Sequence, residues 1–310
     1  NEKLHVNIDG ITFENPVGLA AGFDKNAILL DIIPNIGFGF EEVGSVTAKP
    51  CAGNPKPRVF RLPRDKALVI NYGLCNDGAE IILKRLRMKR HIIPMGVNIA
   101  KTNDPNIFGS ASVEDYYKAY TLLKDVGDYI TVNISCPNAG DGRSFEDPVL
   151  LEKLLHRIGK TNKIILLKIS PDIPKEQLNK IIKLGEKYHI RGFVVANLTH
   201  NREGLKSSQE KLFNAKGSIS GPHLKNKTDA LIGYIYKKTK GKFIIIGVGG
   251  IFNANDAYQK IKNGAMLVQL ITGMIYEGPG IVKKINKGLV RLLELEGFEN
   301  IQEATGSNFR

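Results

Sequence analysis

The sequence predicts a (β/α)8 TIM barrel, and three observations carry the prediction. Short β-rich runs bounded by Gly or Pro alternate with longer stretches whose apolar residues recur at helical spacing. The strand candidates number eight, the count that closes such a barrel. Glycine-bearing turns follow the last two strands, where barrels of this kind gather backbone amides around an anion. At 310 residues and 42% hydrophobic, the chain has enough apolar side chain for one large core, so a single domain over residues 1–310 is expected.

Taken in order, residues 4–8 and 11–13 flank Asp9-Gly10, a hairpin signal, and this hairpin is expected to plug the barrel floor. Strands are expected at residues 17–22, 38–43, 93–99, 129–134, 164–169, 192–197, 243–248 and 266–271. Helices are expected near 25–36, 77–89, 112–126, 147–159, 175–188, 224–238, 255–262 and 280–295, with Leu178, Ile181, Ile182 and Leu184 marking one apolar stripe. Ser112, with Asp115 three positions on, has the general form of a capping box. Two insertions, 47–76 and 200–216, follow strands that end at the catalytic mouth, where long loops serve function. The second is polar, contains Gly204 and is the candidate lid.

Lys and Arg outnumber Asp and Glu by 44 to 31, a net charge of +13 that suits nucleic acid, an anionic membrane face or an anionic substrate. The excess is not gathered in an arm, and the runs at 84–90 and 237–242 read as helix ends and exposed faces. Cys51, Cys75 and Cys136 are odd in number and lack CxxC spacing, which argues against a disulfide framework or metal site and for a reducing compartment. No apolar run approaches the ~20 residues of a spanning helix, and no signal peptide opens the chain. The first residue is Asn rather than Met.

The stretch Asn133-Ile-Ser-Cys-Pro-Asn138 sets a thiol and two amides at the end of an apolar β run. Buried amides need partners and a thiol among fixed dipoles can accept a proton, so the motif points to proton abstraction beside a hydrogen-bonding small molecule. By itself it also reads as a buried Cys before a turn-forming Pro-Asn pair. Gly247-Val-Gly-Gly250 follows the seventh strand and Ile271-Thr-Gly273 the eighth, while Ser220-Gly221 offers a further close backbone approach. Together they predict a phosphate-bearing ligand.

Lys168 lies in the apolar run Ile164-Ile-Leu-Leu-Lys-Ile, where its ammonium needs a counter-charge or a route to solvent. Its functional reading is stabilisation of negative charge on a reduced cofactor, for which a flavin fits. Leu19-Ala-Ala-Gly-Phe-Asp-Lys25 brings small residues and then a cation to the mouth, allowing a flat ring to approach the backbone. Asn71, Asn98, Asn133, Asn138 and Asn197 fall at or near strand ends or in the first insertion, and read together as a hydrogen-bonding cage for a planar polar ring. His5, His91, His156, His189, His200 and His223 lie mainly on helices or loops and are expected to be structural.

These residues resemble the dihydroorotate dehydrogenase family over essentially the whole chain. Asn15-Pro-Val-Gly-Leu-Ala-Ala-Gly-Phe-Asp-Lys25, Val43-Gly-Ser-Val-Thr, Gly53-Asn-Pro-Lys-Pro-Arg-Val-Phe-Arg-Leu62, Ile245-Ile-Gly-Val-Gly-Gly250, Ala265-Met-Leu-Val-Gln-Leu270 and the final 297–306 segment look like its quinone-using, membrane-associated class 2 branch. The resemblance implies FMN across the barrel mouth, contacted by Ala21, Gly22, Lys25, Ser45, Asn98, Asn133, Lys168, Gly221, Gly249, Gly250, Ile271 and Thr272. It implies dihydroorotate or orotate held by Lys25, Asn71, Tyr72, Gly73, Leu74, Asn133, Asn138, Asn197 and Leu198, with Cys136 as the base. Cys136 would take the C5 proton while hydride leaves C6 for flavin N5, and quinone would reoxidise the flavin. Peripheral association with a bacterial cytoplasmic or mitochondrial inner membrane follows from that branch, a cytoplasmic site otherwise, and no nucleic-acid partner is expected.

Several departures from the pattern stand out. Class 2 enzymes usually carry Ser at the base position, so Cys136 gives this chain a class 1 base on a class 2 framework. The loop from Asn71 to Asn76 looks one residue short, with Leu74 where an aromatic is expected, and Leu198 and Ala196 each replace a family Thr. Ile271 stands where a quinone-pocket Tyr is typical, whereas Arg61 matches the family's Arg. The helical segment that shelters quinone in class 2 is expected to be absent before Asn1. Two other readings compete: a tRNA-dihydrouridine synthase, which is also an FMN barrel with a catalytic Cys, and a non-catalytic barrel that binds phosphate or a partner.

Overall fold

Asp9 and Gly10 both adopt positive φ, 49° and 85°, as a tight hairpin turn requires. Around them β1 (Val6–Ile8) and β2 (Ile11–Phe13) pair antiparallel. Val6, Ile8 and Phe13 are buried, and Phe13 meets the Phe40 ring edge-on with centroids 5.4 Å apart. The hairpin thus lays its apolar face against the start of a barrel strand, closing the floor. The computed structural model describes residues 1–135, 144–207 and 215–310.

The chain then runs through β3 (Val17–Leu19), α1 (Ile33–Ile36) and β4 (Phe40–Val46), with β5 (Val59–Leu62) and β6 (Ala67–Ile70) in the first insertion. There follow α2 (Ala79–Met88), β7 (Met95–Ile99), α3 (Ser110–Leu123), β8 (Tyr129–Asn133), α4 (Pro148–Ile158), β9 (Ile164–Ile169), α5 (Lys175–Lys187) and β10 (Gly192–Val195). Beyond the second insertion come β11 (Ser218–Ser220), α6 (Lys225–Thr239), β12 (Ile244–Val248), α7 (Ala254–Lys262) and β13 (Leu267–Leu270). The chain ends with α8 (Thr272–Glu277), α9 (Ile281–Glu296) and α10 (Ile301–Ala304).

Eight of these strands close a parallel barrel in the order β10, β12, β13, β3, β4, β7, β8, β9, the last returning to β10. All eight coincide with the strands expected from sequence. Their apolar side chains and those of the surrounding helices form one large core, since strands buried on both faces leave little room for polar residues. At Gly18 a Cβ would overlap the Phe40 ring. Gly18→Ala is therefore expected to destabilise the floor by about 1–3 kcal/mol, read as a lowered thermal midpoint; an unchanged midpoint would show that the ring can retreat.

Two local expectations fail. The helix expected at 25–36 is reduced to Ile33–Ile36, because the Asp24 carboxylate accepts from the backbone N–H of Asn26, Ile28 and Leu29 at 3.3, 3.0 and 2.7 Å. Those donors are thereby diverted from a helical ladder, and Ala27 takes φ 56°. The capping box at Ser112 does not form. That helix already starts at Ser110, Ser112 Oγ donates to Gly109 O at 2.6 Å, and Asp115 instead binds Thr102 N and Oγ1 at 2.7 and 2.8 Å.

The first insertion joins the second and the strand that follows it in one structure that the sequence pattern does not predict. β5, β6 and β11 form an antiparallel sheet over the mouth, with Leu62, Ala67, Val69, Leu205 and Ile219 as a second, small core. Asp65 ties the second insertion down, accepting from Lys206 N at 2.7 Å and Ser207 N at 3.0 Å. The candidate lid, 200–216, lies partly outside the described residues.

Candidate active site at the barrel mouth

At the carboxyl ends of the strands, under the small sheet, lies a cavity of about 700 Å³. Position along each strand decides what reaches it. Ala21, Gly22 and Lys25 come from the loop after β3, Ser45 from β4, and Asn71, Tyr72 and Leu74 from the first insertion. Asn133 and Lys168 project from β8 and β9, and Asn197 and Leu198 follow β10. Gly221 follows β11, Gly249 and Gly250 follow β12, and Ile271 and Thr272 follow β13. Gly73 and Asn98, also expected at the site, are outside the lining. Gly73 packs on Asn54 in the insertion, and Asn98 is buried one layer below the cavity. Cys136 and Asn138 lie outside the described residues.

Lys168 is 4% exposed, and its ammonium makes no hydrogen bond among the described residues. Burial lowers its pKa, opposed by the nearby Glu42 carboxylate. Lys25 donates to Gly22 O and lies 3.9 Å from the centroid of the Tyr72 ring. Its pKa is also lowered, first by burial, with Cys75 opposing and Arg58 adding to the effect. Two ammonium groups thus face a half-enclosed cavity in which an anion regains the solvation they have lost.

The amides are joined rather than scattered. Asn133 Nδ2 donates to Ser45 Oγ at 3.1 Å, and Ser45 Oγ donates to Asn98 Oδ1 at 2.5 Å. On the other side Ser135 Oγ donates to Asn133 Oδ1 at 3.0 Å, and Asn197 Nδ2 to Ser135 Oγ at 2.8 Å. At the opposite wall Gly249 and Gly250 adopt φ 106° and 71°. A Cβ at Gly250 would stand 2.7 Å from the Lys225 Cα at the start of α6, so only glycine lets the loop press on that helix. Ser220 Oγ and Thr272 Oγ1 meet there at 2.5 Å.

Glu42, Gln269 and Ser135, all buried at the site, are not among the residues expected from sequence, and His200, expected to be structural, lines the cavity. Glu42 carried a usable signal: a carboxylate inside an apolar strand, the same anomaly that singled out Lys168. Gln269, an amide inside the apolar strand β13, carries a weaker form of the same signal, whereas Ser135 carries none, because a hydroxyl just past a strand is a common turn former.

Residues 3–293 match the family model for dihydroorotate dehydrogenase. Among curated relatives, dihydroorotate dehydrogenase (quinone) of Nostoc punctiforme is 41% identical, the alignment covering 99% of this chain and 84% of that protein. The enzyme of the same name from a Roseiflexus species is 42% identical, over 98% of this chain and 84% of that one. A crystal structure of DHODH from Eimeria tenella in complex with ferulenol superposes with a TM-score of 0.91 at 31% identity, covering 100% of this chain and 89% of that one. These matches run the length of the barrel and both insertions, so the chain belongs to the dihydroorotate dehydrogenase family.

Proposed function

We propose that this chain oxidises dihydroorotate to orotate on FMN and passes the electrons to quinone, with residues 1–310 acting as one FMN-binding barrel domain. The observation that carries the reading is the buried Lys168 ammonium, without a hydrogen bond among the described residues, facing the same cavity as the Asn133 and Asn197 amides. The family is flavin-dependent, and the residues present fit FMN. The glycine cradle at Gly249 and Gly250, with Gly221 and Thr272 beside it, suits a phosphate. The small residues Ala21 and Gly22 leave room for a flat ring, and Lys168 suits a group that gains negative charge on reduction.

When bound, FMN supplies the acceptor for the substrate hydride and the route of its electrons to quinone. The chain's own residues do the rest. In this reading Lys25 pairs with the substrate carboxylate, Asn71, Asn133, Asn138 and Asn197 hydrogen-bond its ring, and Tyr72, Leu74 and Leu198 shape its pocket, with Gly73 behind them against Asn54. Ser45 and Asn98 brace the amides, and Ile271 borders the cofactor. Cys136 takes the C5 proton, and Lys168 balances charge at the cofactor ring. Quinones dissolve in lipid, so this reading sets the enzyme at a membrane face. Among the described residues no helix is long and apolar enough to cross one.

An anaerobic titration tests the proposal. The protein is expected to carry yellow flavin that dihydroorotate bleaches and a soluble quinone restores. Flavin that remains oxidised under excess dihydroorotate would count decisively against it.

A further inference from the structure

Glu42 lies at the base of the site, 1% exposed on β4. Its carboxylate accepts four hydrogen bonds. Asn98 Nδ2 reaches Oε1 at 2.8 Å, and Thr131 Oγ1, Gln269 Nε2 and Tyr129 OH reach Oε2 at 3.0, 3.1 and 3.2 Å. With donors on both of its oxygens the Glu42 side chain only accepts here, whereas a primary amide presents a donor on one side and an acceptor on the other. Whatever amide touches Glu42 is therefore fixed in orientation.

The constraint propagates. Because Asn98 turns its NH2 to Glu42, its Oδ1 must face Ser45, and Ser45 commits its single proton there. The Ser45 lone pairs then call for a donor, which Asn133 Nδ2 supplies. Asn133 Oδ1 is left to accept from Ser135 Oγ and, at 3.4 Å, from Asn197 Nδ2. Asn197 spends its two amide protons on Asn133 Oδ1 and Ser135 Oγ, so it keeps only an acceptor, Oδ1, for a ligand. A second branch obeys the same rule. Gln269 gives its NH2 to Glu42, and its buried Oε1 has no partner among the described residues.

We propose that Glu42 is a positioning residue: through Asn98, Ser45 and Asn133 it sets the donor and acceptor sense of the amide cage, so that Asn197 meets the ligand as an acceptor and selects a ring N–H. The ligand class is a planar ring bearing an imide or amide N–H. The inference rests on the functional reading above, which supplies orotate as the probe. Replacing Glu42 by Gln, a group of equal size that can both donate and accept, frees Asn98 to turn over and removes the rule at its source.

The test is a flavin-absorbance titration of the holoenzyme with orotate and with ring-N-methylated orotates, comparing the unmodified protein with Glu42→Gln. The unmodified protein is expected to prefer orotate over at least one N-methyl derivative by roughly a hundredfold. In Glu42→Gln that preference is expected to shrink to about tenfold or less, through weaker orotate binding rather than tighter binding of the derivative. A structural defect alone would weaken all ligands together and leave the ratio intact, so an unchanged ratio overturns the proposal. If Glu42→Gln does not fold, Ser45→Ala cuts the relay without disturbing the buried carboxylate, and the same ratio decides. Unmodified holoenzyme that ignores orotate would refute the functional reading and this inference with it. Orotate binding without N-methyl discrimination would refute this inference alone.

Discussion

A Cys136→Ala protein is expected to bind FMN and orotate normally but to reduce its flavin with dihydroorotate about 10²- to 10⁴-fold more slowly, the usual contribution of a positioned general base. The C5 proton of dihydroorotate is a weak acid, and hydride departure from C6 builds no double bond until that proton leaves. With alanine at 136, solvent must collect the proton under a cavity roof formed by β5, β6 and β11. The flanks of the segment remain anchored in the variant: Ser135 Oγ holds Asn133, Ser144 Oγ donates to Ile134 O at 2.8 Å, and Asp147 caps α4 by accepting from Val149 N at 2.8 Å. Loss of rate is therefore expected without loss of either ligand. Anaerobic stopped-flow reduction gives the rate, and a retained orotate affinity separates chemistry from misfolding. Cys136→Ser adds a second readout. A free thiol titrates near ~8.5, far below a hydroxyl, so the serine variant is expected to need higher pH for the same fractional rate. Unaltered reduction by Cys136→Ala would remove Cys136 from the mechanism.

How far such features are legible from sequence depends on the range of the interactions that create them. The barrel strands and most helices announce themselves because each is specified by its own periodicity, and Asp9-Gly10 specifies its hairpin through two adjacent backbone angles. The helix expected at 25–36 fails because a single carboxylate, Asp24, outcompetes the backbone for three N–H groups. No count of propensities contains that competition. The roof sheet is invisible for another reason: β11 pairs with β6 across some 150 positions of sequence, and three-residue strands lack a readable period. At the site, residues flagged by chemical incongruity with their run, such as Lys168 and Asn133, do line the cavity. The relay through Ser45 and Glu42 was not legible, since hydrogen-bond direction is a property of the assembled network rather than of any residue in it.

Glu41 leads to the second large effect, a stability that falls as pH rises. Successive residues of a strand face opposite sides, so Glu42 enters the barrel, where four donors meet it, and Glu41 points the other way. There it is 1% exposed, and neither carboxylate oxygen has a hydrogen-bond partner among the described residues. Burial, with Asp24 and then Asp31 adding like charge, pushes its pKa up to about 8 from an ordinary 4.5. The folded chain therefore holds this proton up to about pH 8, while an unfolded chain releases it above about pH 4.5. Between those values the folded state binds more protons, so stability declines with pH and the decline levels off above pH 8. Over the roughly 3.5 units between them, at about 1.4 kcal/mol per unit, the accumulated loss by pH 8.5 is on the order of 5 kcal/mol. Glu41→Gln carries no charge to lose. It is expected to match the unmodified protein near pH 5 and to exceed it by that amount at pH 8.5, as read from urea unfolding at the two pH values. The strain has a direction as well as a size, because an ionised Glu41 repels Asp24, whose carboxylate pins residues 26–29 and whose backbone O accepts from Gly44 N at 3.0 Å. That loop carries Lys25 into the cavity, so the alkaline loss is expected to begin there, as earlier hydrogen exchange in 24–29 than in the barrel strands. Parallel stability curves for the two proteins from pH 5 to 8.5 would show that Glu41 finds its charge compensated in the folded state.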